Sequence, residues 1–167
     1  MNTFRSIFFN LVAGLALAAQ VACSSDNKTN PTPDPAPGLS WTVDGAAVTT
    51  TTLQSQNTSA TLSISGTLNP AGPVTSYVSL EMPRAVGTYT FSNTTSSSAF
   101  YSTSGPGTQM VYYAGANYGA GTVSGSGTIV VATLTATRVT GTFAFTGINT
   151  ATGASKQITS GQFSVGL

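Results

Sequence analysis

The sequence predicts an all-β fold, a single antiparallel meander sandwich or open barrel of about eight or nine strands. Three observations support this prediction. Apolar side chains recur at every second position, turn-forming residues separate these runs, and threonine (29 residues) and serine (21 residues) far outnumber charged residues. Threonine favours strands because it is β-branched, whereas serine and glycine favour turns. With 167 residues, 40% of them hydrophobic, the chain is long enough for one domain with its own core.

The predicted strands are the runs with period-two alternation, because side chains two positions apart share one face of a strand. In chain order, their apolar positions are Leu39, Trp41 and Val43; Leu62, Ile64 and Leu68; Val78, Leu80 and Met82; Tyr89 and Phe91; Val139, Phe143 and Phe145; and Phe163, Val165 and Leu167. Residues 129–134 form a more continuous apolar run, interrupted only by Thr133, which favours a central strand covered on both faces.

Turn-forming sequences separate the predicted strands. The dipeptide Asp44-Gly45 is the strongest short hairpin signal in the chain, and residues 69–73 (NPAGP) predict a loop. Further turns are predicted at residues 105–107, 119–121 and 149–153. No helical pattern follows residue 23, so short connections and an antiparallel sheet are expected.

The first 22 residues are predicted to be a secretory signal helix. A short segment with one positive charge, Arg5, precedes a 13-residue stretch, residues 7–19, that is apolar except for Asn10 and too short to span a bilayer comfortably. Ala22 and Cys23 then follow, and this arrangement resembles a bacterial lipobox, in which the signal is cut before a cysteine that carries the lipid. Gln20 departs from the aliphatic residue usual three positions before that cysteine. The alternative is an ordinary signal peptide with a buried cysteine.

Residues 23–38 are predicted to be the lipidated cysteine and a polar linker, and residues 39–167 the β domain. Four prolines at alternate positions, from Pro31 to Pro37, keep such a segment extended and space a domain from a membrane surface. By analogy with the enterobacterial sorting rule, Ser24 favours the outer membrane.

The composition excludes several classes of site. The chain contains no histidine and a single cysteine, so it cannot form a Ser-His-Asp triad, a His/Cys zinc site or an intramolecular disulfide. Charged residues make up 5% of the chain and the net charge is +1, so the sequence does not provide the basic surface that nucleic-acid binding requires. We therefore expect no cofactor, no metal and no nucleic-acid partner. The glycine-rich segments also lack the spacing of phosphate-binding loops.

The predicted domain contains two acids, Asp44 and Glu81. A pair of carboxylates can hydrolyse glycosides. However, Asp44 falls in a predicted hairpin turn, and Glu81 alternates outward between Leu80 and Met82, three residues before Arg84. We therefore expect no catalytic residue.

Two segments of the domain are alike: residues 87–92 (GTYTFS) and 141–146 (GTFAFT). Two copies indicate two similar core strands rather than a repeat array. Together with the lipoprotein start, WTVDGAAV (41–48) and KQITSGQFSV (156–165), their order resembles that of a family of Bacteroidota lipoproteins that share a β-rich domain of unknown function. The resemblance covers most of residues 39–167. It implies a surface or periplasmic lipoprotein and assigns no catalytic residue.

Tyrosines supply the candidate binding residues. Tyr112 and Tyr113 are adjacent on a predicted strand, so one ring enters the core and the other faces outward. We expect an exposed patch of Tyr101, Tyr113 and Tyr118 that stacks on a neutral ligand, although these rings also suit core packing.

The sequence therefore predicts a lipid-anchored protein of the bacterial outer membrane, facing either the periplasm or the exterior. Its β domain would be non-enzymatic, with a structural or ligand-binding role. The alternative is a carbohydrate-binding module or glycan-active enzyme of a polysaccharide-uptake system. Expected partners are the membrane, through the lipid on Cys23, and a neutral glycan or a protein. The sequence leaves the oligomeric state open.

Overall fold

The computed structural model describes residues 36–92, 95–115 and 125–167. All of them lie within one compact unit, Asp34–Leu167. The predicted signal helix, Cys23, most of the predicted linker and Tyr118 lie outside these ranges. Every regular element within them is a β-strand, which confirms the all-β prediction. A membrane-crossing helix is not found in the described ranges.

This part of the chain contains eleven strands. They are β1 Gly38–Val43, β2 Ala46–Thr50, β3 Leu53–Asn57, β4 Thr61–Leu68, β5 Thr75–Pro83, β6 Gly87–Thr90, β7 Ser98–Gly105, β8 Thr108–Gly115, β9 Ser126–Leu134, β10 Arg138–Ile148 and β11 Ser155–Gly166.

Nine of the strands form one antiparallel path that curls into a nearly closed barrel. Their order is β2-β1-β11-β10-β8-β7-β5-β4-β3. The end strands β2 and β3 follow each other in the chain, and Thr50 Oγ1 donates a hydrogen bond to Thr67 O of β4 at 2.6 Å. Thr67 N in turn donates to Thr52 O at 3.0 Å. The open-barrel prediction is confirmed. The structure has eleven strands rather than eight or nine: residues 51–52 divide β2 from β3, and β6 and β9 lie off the nine-strand path.

Strands β8 and β9 share one edge of β10. β9 pairs with residues 139–146, whereas β8 pairs only at Ile148, opposite Tyr113. Asn149 reinforces this short contact because its Nδ2 donates to Val111 O of β8 at 3.0 Å. Its Oδ1 accepts from Thr152 N at 2.9 Å, so one buried side chain holds both the β10–β11 turn and the β8–β10 contact.

The barrel interior is built in rows, because directly paired residues of antiparallel strands point to the same face. One row across β4, β5, β7 and β8 consists of Gly66, Val78, Tyr101 and Tyr112, and the next of Ile64, Leu80, Ala99 and Ala114. All eight residues are buried. Across the closure of the barrel, Leu39 of β1 and Thr50 of β2 approach Gly66, where an added Cβ would lie 2.9 Å from Thr50 Cγ2.

Glycine and phenylalanine are paired reciprocally between β10 and β11. Gly141 lies opposite Phe163, and Phe143 lies opposite Gly161. A Cβ added at Gly141 would lie 2.4 Å from the Phe163 ring, and one at Gly161 would lie 2.6 Å from the Phe143 ring. Each glycine therefore makes room for the ring on the neighbouring strand, as aromatic side chains do when they cover strand glycines.

The two similar segments flank β9 in the same register. Gly87 and Gly141 both pair with Val131, and Tyr89 and Phe143 both pair with Ile129. The prediction of two similar core strands is confirmed, because β6 and β10 present the same pattern to the two edges of one strand.

The predicted turns are confirmed where the structure describes them. Asp44 (φ 50°) and Gly45 (φ 80°) form the β1–β2 hairpin with the two positive φ angles of a type I′ turn. Pro106 and Gly107 (φ 75°) connect β7 and β8, and residues 69–74 form the β4–β5 loop.

Candidate functional site

The structure separates the candidate tyrosines. Tyr112 is 5% exposed and faces the interior, whereas Tyr113 is half-buried on the outer face, as the alternation predicts. Tyr101 is 4% exposed and pairs with Tyr112 on the inner face. It therefore does not share a surface with Tyr113, which corrects the expected patch. Phe100, the residue before Tyr101, takes the outward position beside Tyr113.

An outer aromatic row, which we define as Tyr77, Phe100 and Tyr113, crosses three adjacent strands, β5, β7 and β8. The ring centroids of Tyr77 and Phe100 are 5.4 Å apart, and those of Phe100 and Tyr113 are 5.8 Å apart. The planes are tilted by 32° and 49°, so the rings form a twisted strip rather than a flat plate. All three side chains are half-buried. Aromatic faces placed side by side can stack on apolar faces of a ligand.

Apolar and hydroxyl side chains surround the outer aromatic row. Ile148 of β10 pairs with Tyr113, and Val111 lies two residues before Tyr113 on the same outer face. Ser79 pairs with Phe100, and Ser102 pairs with Tyr77. The row is therefore an amphipathic surface, with rings in the middle and hydroxyl groups between them.

Sequence reasoning missed Tyr77 and Phe100. Tyr77 precedes the inward residues Val78 and Leu80, so its outward position follows from the same alternation that identified β5. Its contact with Phe100 depends on the pairing of β5 with β7, which skips β6. That long-range pairing leaves no signal in a local pattern.

A polar cluster lies at one end of the barrel interior. Tyr101 and Tyr112 have ring centroids 6.2 Å apart, and the Tyr101 hydroxyl is 3.4 Å from Ser76 Oγ. Lys156 forms an ion pair with Asp44 of the β1–β2 turn. The hydrogen bond to Asp44 raises the pKa of Lys156, and the nearby phenol groups of Tyr112 and Tyr101 act in the same direction.

The structure does not bring the two acids of the domain together. Asp44 lies in the β1–β2 turn, at the barrel end where β5 begins, and binds Lys156. Glu81 lies six residues further along β5, half-buried between the fully buried Leu80 and Met82, in the outward position that its alternation predicts. A glycosidase needs its two carboxyl groups within about 10 Å of each other, and a strand advances about 20 Å over six residues. Across the described ranges, no group of three His, Cys, Asp or Glu residues could hold a metal ion.

A family model described as "Domain of unknown function (DUF6252)" matches residues 37–165. Neither the curated proteins nor the solved structures contain a significant match to the chain.

Proposed function

The chain belongs to the DUF6252 family of domains of unknown function, and from its own surface we propose that it is a lipid-anchored cell-envelope protein that binds a neutral glycan without transforming it. The outer aromatic row is the proposed contact surface. The observation that carries the proposal is the continuous contact of three half-buried rings across β5, β7 and β8.

The chemistry of this face supports a sugar ligand. Sugar rings have an apolar face that stacks on aromatic rings, and hydroxyl groups that pair with other hydroxyl groups. The row supplies the rings, and the half-buried Ser79 lies opposite Phe100. Only five side chains in the described ranges carry a formal charge: Asp44, Glu81, Arg84, Arg138 and Lys156. So small a number favours a neutral ligand over an anionic or cationic one.

Two features support binding without catalysis. The sequence contains no histidine, and its single cysteine is the predicted lipidation site. The two acids of the domain lie apart, Asp44 in the β1–β2 turn and Glu81 on β5, at positions unsuited to paired carboxylate chemistry. The competing proposal is a glycan-active enzyme, and turnover of a bound oligosaccharide by the purified protein would favour it.

Glycan binding is tested with the full chain on a panel of neutral polysaccharides comprising xylan, glucomannan, β-glucan and yeast α-mannan. We expect at least one to bind, with little change in affinity between about 0.1 and 1 M salt, because salt screens only charge interactions. Tyr113→Thr and Tyr77→Thr should weaken binding about tenfold or more. Tyr101→Phe removes one hydroxyl from the inner face and serves as the matched control. Binding that survives both outer substitutions would contradict the proposed surface.

Membrane attachment is a separate part of the proposal. The apolar segment of residues 7–19, Ala22-Cys23 and the proline-rich linker support it, as does the resemblance to Bacteroidota lipoproteins. Lipidated cysteines carry several acyl chains, and more than one chain is needed for stable anchoring. Cys23→Ala should move the protein from the detergent phase to the aqueous phase on phase separation. Equal detergent partitioning of both forms would contradict lipidation at Cys23.

A further inference from the structure

A groove runs along the outward face of β10, on the side of the barrel that neighbours the outer aromatic row. Three open depressions of about 470, 470 and 200 Å³ make up the groove. The first two share Thr142 and Gln162, and the last two share Ala144. They are therefore successive parts of one feature, which we call the β10 groove.

Short side chains of β10 form the floor of this groove. The outward residues from the start of the strand are Thr140, Thr142, Ala144 and Thr146. They alternate with the inward residues Gly141, Phe143 and Phe145. From Thr140 to Thr146 the strand advances about 20 Å, which is longer than a single sugar ring requires.

The walls come from the two strands that pair with β10. β9 contributes Thr128 and Val130, and β11 contributes Gln157 and Gln162. Ser160 of β11 has a φ of 53° and lies where the pairing with both β1 and β10 shifts register. Such a bulge bends a strand and increases its twist, and this irregularity lies beside the middle of the groove.

The β10 groove reaches the outer aromatic row at the C-terminal end of β10. Ile148 follows Thr146 on the same face of β10 and pairs with Tyr113. A Cβ added at Gly125 would lie 2.3 Å from Tyr113 O and 2.5 Å from Thr146 O, so both strands pass close to one glycine backbone. The next residue, Ser126, lines the groove. Row and groove are therefore adjoining parts of one outer surface.

The lining of the three depressions contains no charged side chain. It offers threonine and serine hydroxyls and two glutamine amides, all of which can donate and accept hydrogen bonds. Arg138 is the first residue of β10, and its guanidinium donates to Ser164 Oγ of the first depression at 3.3 Å. Beyond this arginine at one end, the groove provides neutral hydrogen-bonding groups along its length.

We propose that the β10 groove holds an extended segment of the same neutral polysaccharide whose next residues stack on the outer aromatic row. This inference rests on the proposed glycan binding and specifies its ligand: an oligosaccharide chain rather than a single sugar or a chain end. The rings supply stacking at one end, and the hydroxyl and amide groups along β10 hold the rest of the chain.

The test compares short and long oligosaccharides, from disaccharide to octasaccharide, prepared from the polysaccharide that the full chain binds. Ala144→Arg places a long side chain across the floor of the groove at an exposed position. Ala47→Arg is the matched control, because Ala47 is also exposed on a strand but does not line the depressions. Calorimetric titration gives each affinity.

We expect affinity to rise with chain length in the wild type. Ala144→Arg should weaken octasaccharide binding about tenfold and leave disaccharide binding unchanged, whereas Tyr113→Thr should weaken both. Equal affinity for all lengths, or an octasaccharide affinity unaffected by Ala144→Arg, would overturn the groove inference and leave the aromatic row as the binding site. If no polysaccharide of the panel binds the wild type, the proposed function fails, and the groove inference fails with it.

Discussion

The outer aromatic row and the inner tyrosine pair, Tyr101 and Tyr112, share strands β7 and β8 but lie in opposite environments. Phe100 and Tyr113 face outward, and their immediate neighbours Tyr101 and Tyr112 face inward. The inner rings are 4% and 5% exposed and lie among core residues, whereas the outer rings are half-buried among hydroxyl groups. The comparison teaches that one step along a strand decides whether an aromatic ring contributes to stability or to a surface that can bind.

The largest expected difference is in stability. Tyr112→Ala should lower the free energy of unfolding by about 3 kcal/mol, because it removes a large buried ring and leaves a cavity. Tyr113→Ala, on the outer face, should cost about 1 kcal/mol. Urea unfolding of both variants measures the two effects. Equal losses would show that the outer ring packs as a core residue and would weaken its assignment to a binding surface.

A smaller loss of stability is expected from a substitution at Gly147, the glycine that packs against Tyr112 of the inner tyrosine pair. A Cβ added at Gly147 would lie 2.8 Å from both Cβ and O of Tyr112. Gly147→Ala should therefore destabilise the protein by about 1–3 kcal/mol through overpacking, and thermal unfolding measures it. Gly153→Ala is not a suitable control, because φ at Gly153 is 72°. Gly38→Ala is suitable, since its nearest neighbour would lie 3.7 Å away. Equal stability of the Gly147 and Gly38 variants would contradict the close packing around Tyr112.

The smallest effect concerns the ion pair beside the inner tyrosines. Asp44 raises the pKa of Lys156, so the pair stabilises the fold below the ordinary lysine pKa of about 10.4. That contribution is lost as the pH rises through the higher pKa of the folded state. Asp44 is largely exposed and Lys156 is half-buried, so water still screens the pair and the contribution should be below about 1 kcal/mol.

The matched variant for this prediction is Asp44→Asn, because asparagine also suits a type I′ turn. The difference in melting temperature between wild type and variant should be largest near about pH 8 and shrink above about pH 10.5. A difference that stays constant across this range would show that Asp44 acts through the turn and not through Lys156.

Several features of the fold were predictable because they depend on local geometry. The inward and outward positions of Val78, Leu80 and Glu81 follow from the period of two in a strand. The turn at Asp44-Gly45 follows from the ease with which these two residues adopt positive φ. Of the candidate site, only the opposite orientation of Tyr112 and Tyr113 followed in this way. The choice of Tyr101 as an outward ring was wrong because adjacent aromatic residues give no indication of which one faces the core.

By itself, the sequence determined the all-β class, the faces of most strands, the hydroxyl-rich and nearly uncharged surface, and the absence of histidine chemistry. Tertiary structure alone decided that β7 pairs with β5, so that Phe100 meets Tyr77, and that Lys156 reaches Asp44 across 112 positions of the chain. It also placed Ile148 beside Tyr113, which joins the outer aromatic row to the β10 groove. The physical reason is the separation along the chain over which each feature is set. Alternation and turns depend on the dihedral angles of neighbouring residues. Pairing and register depend instead on how distant segments pack around one core.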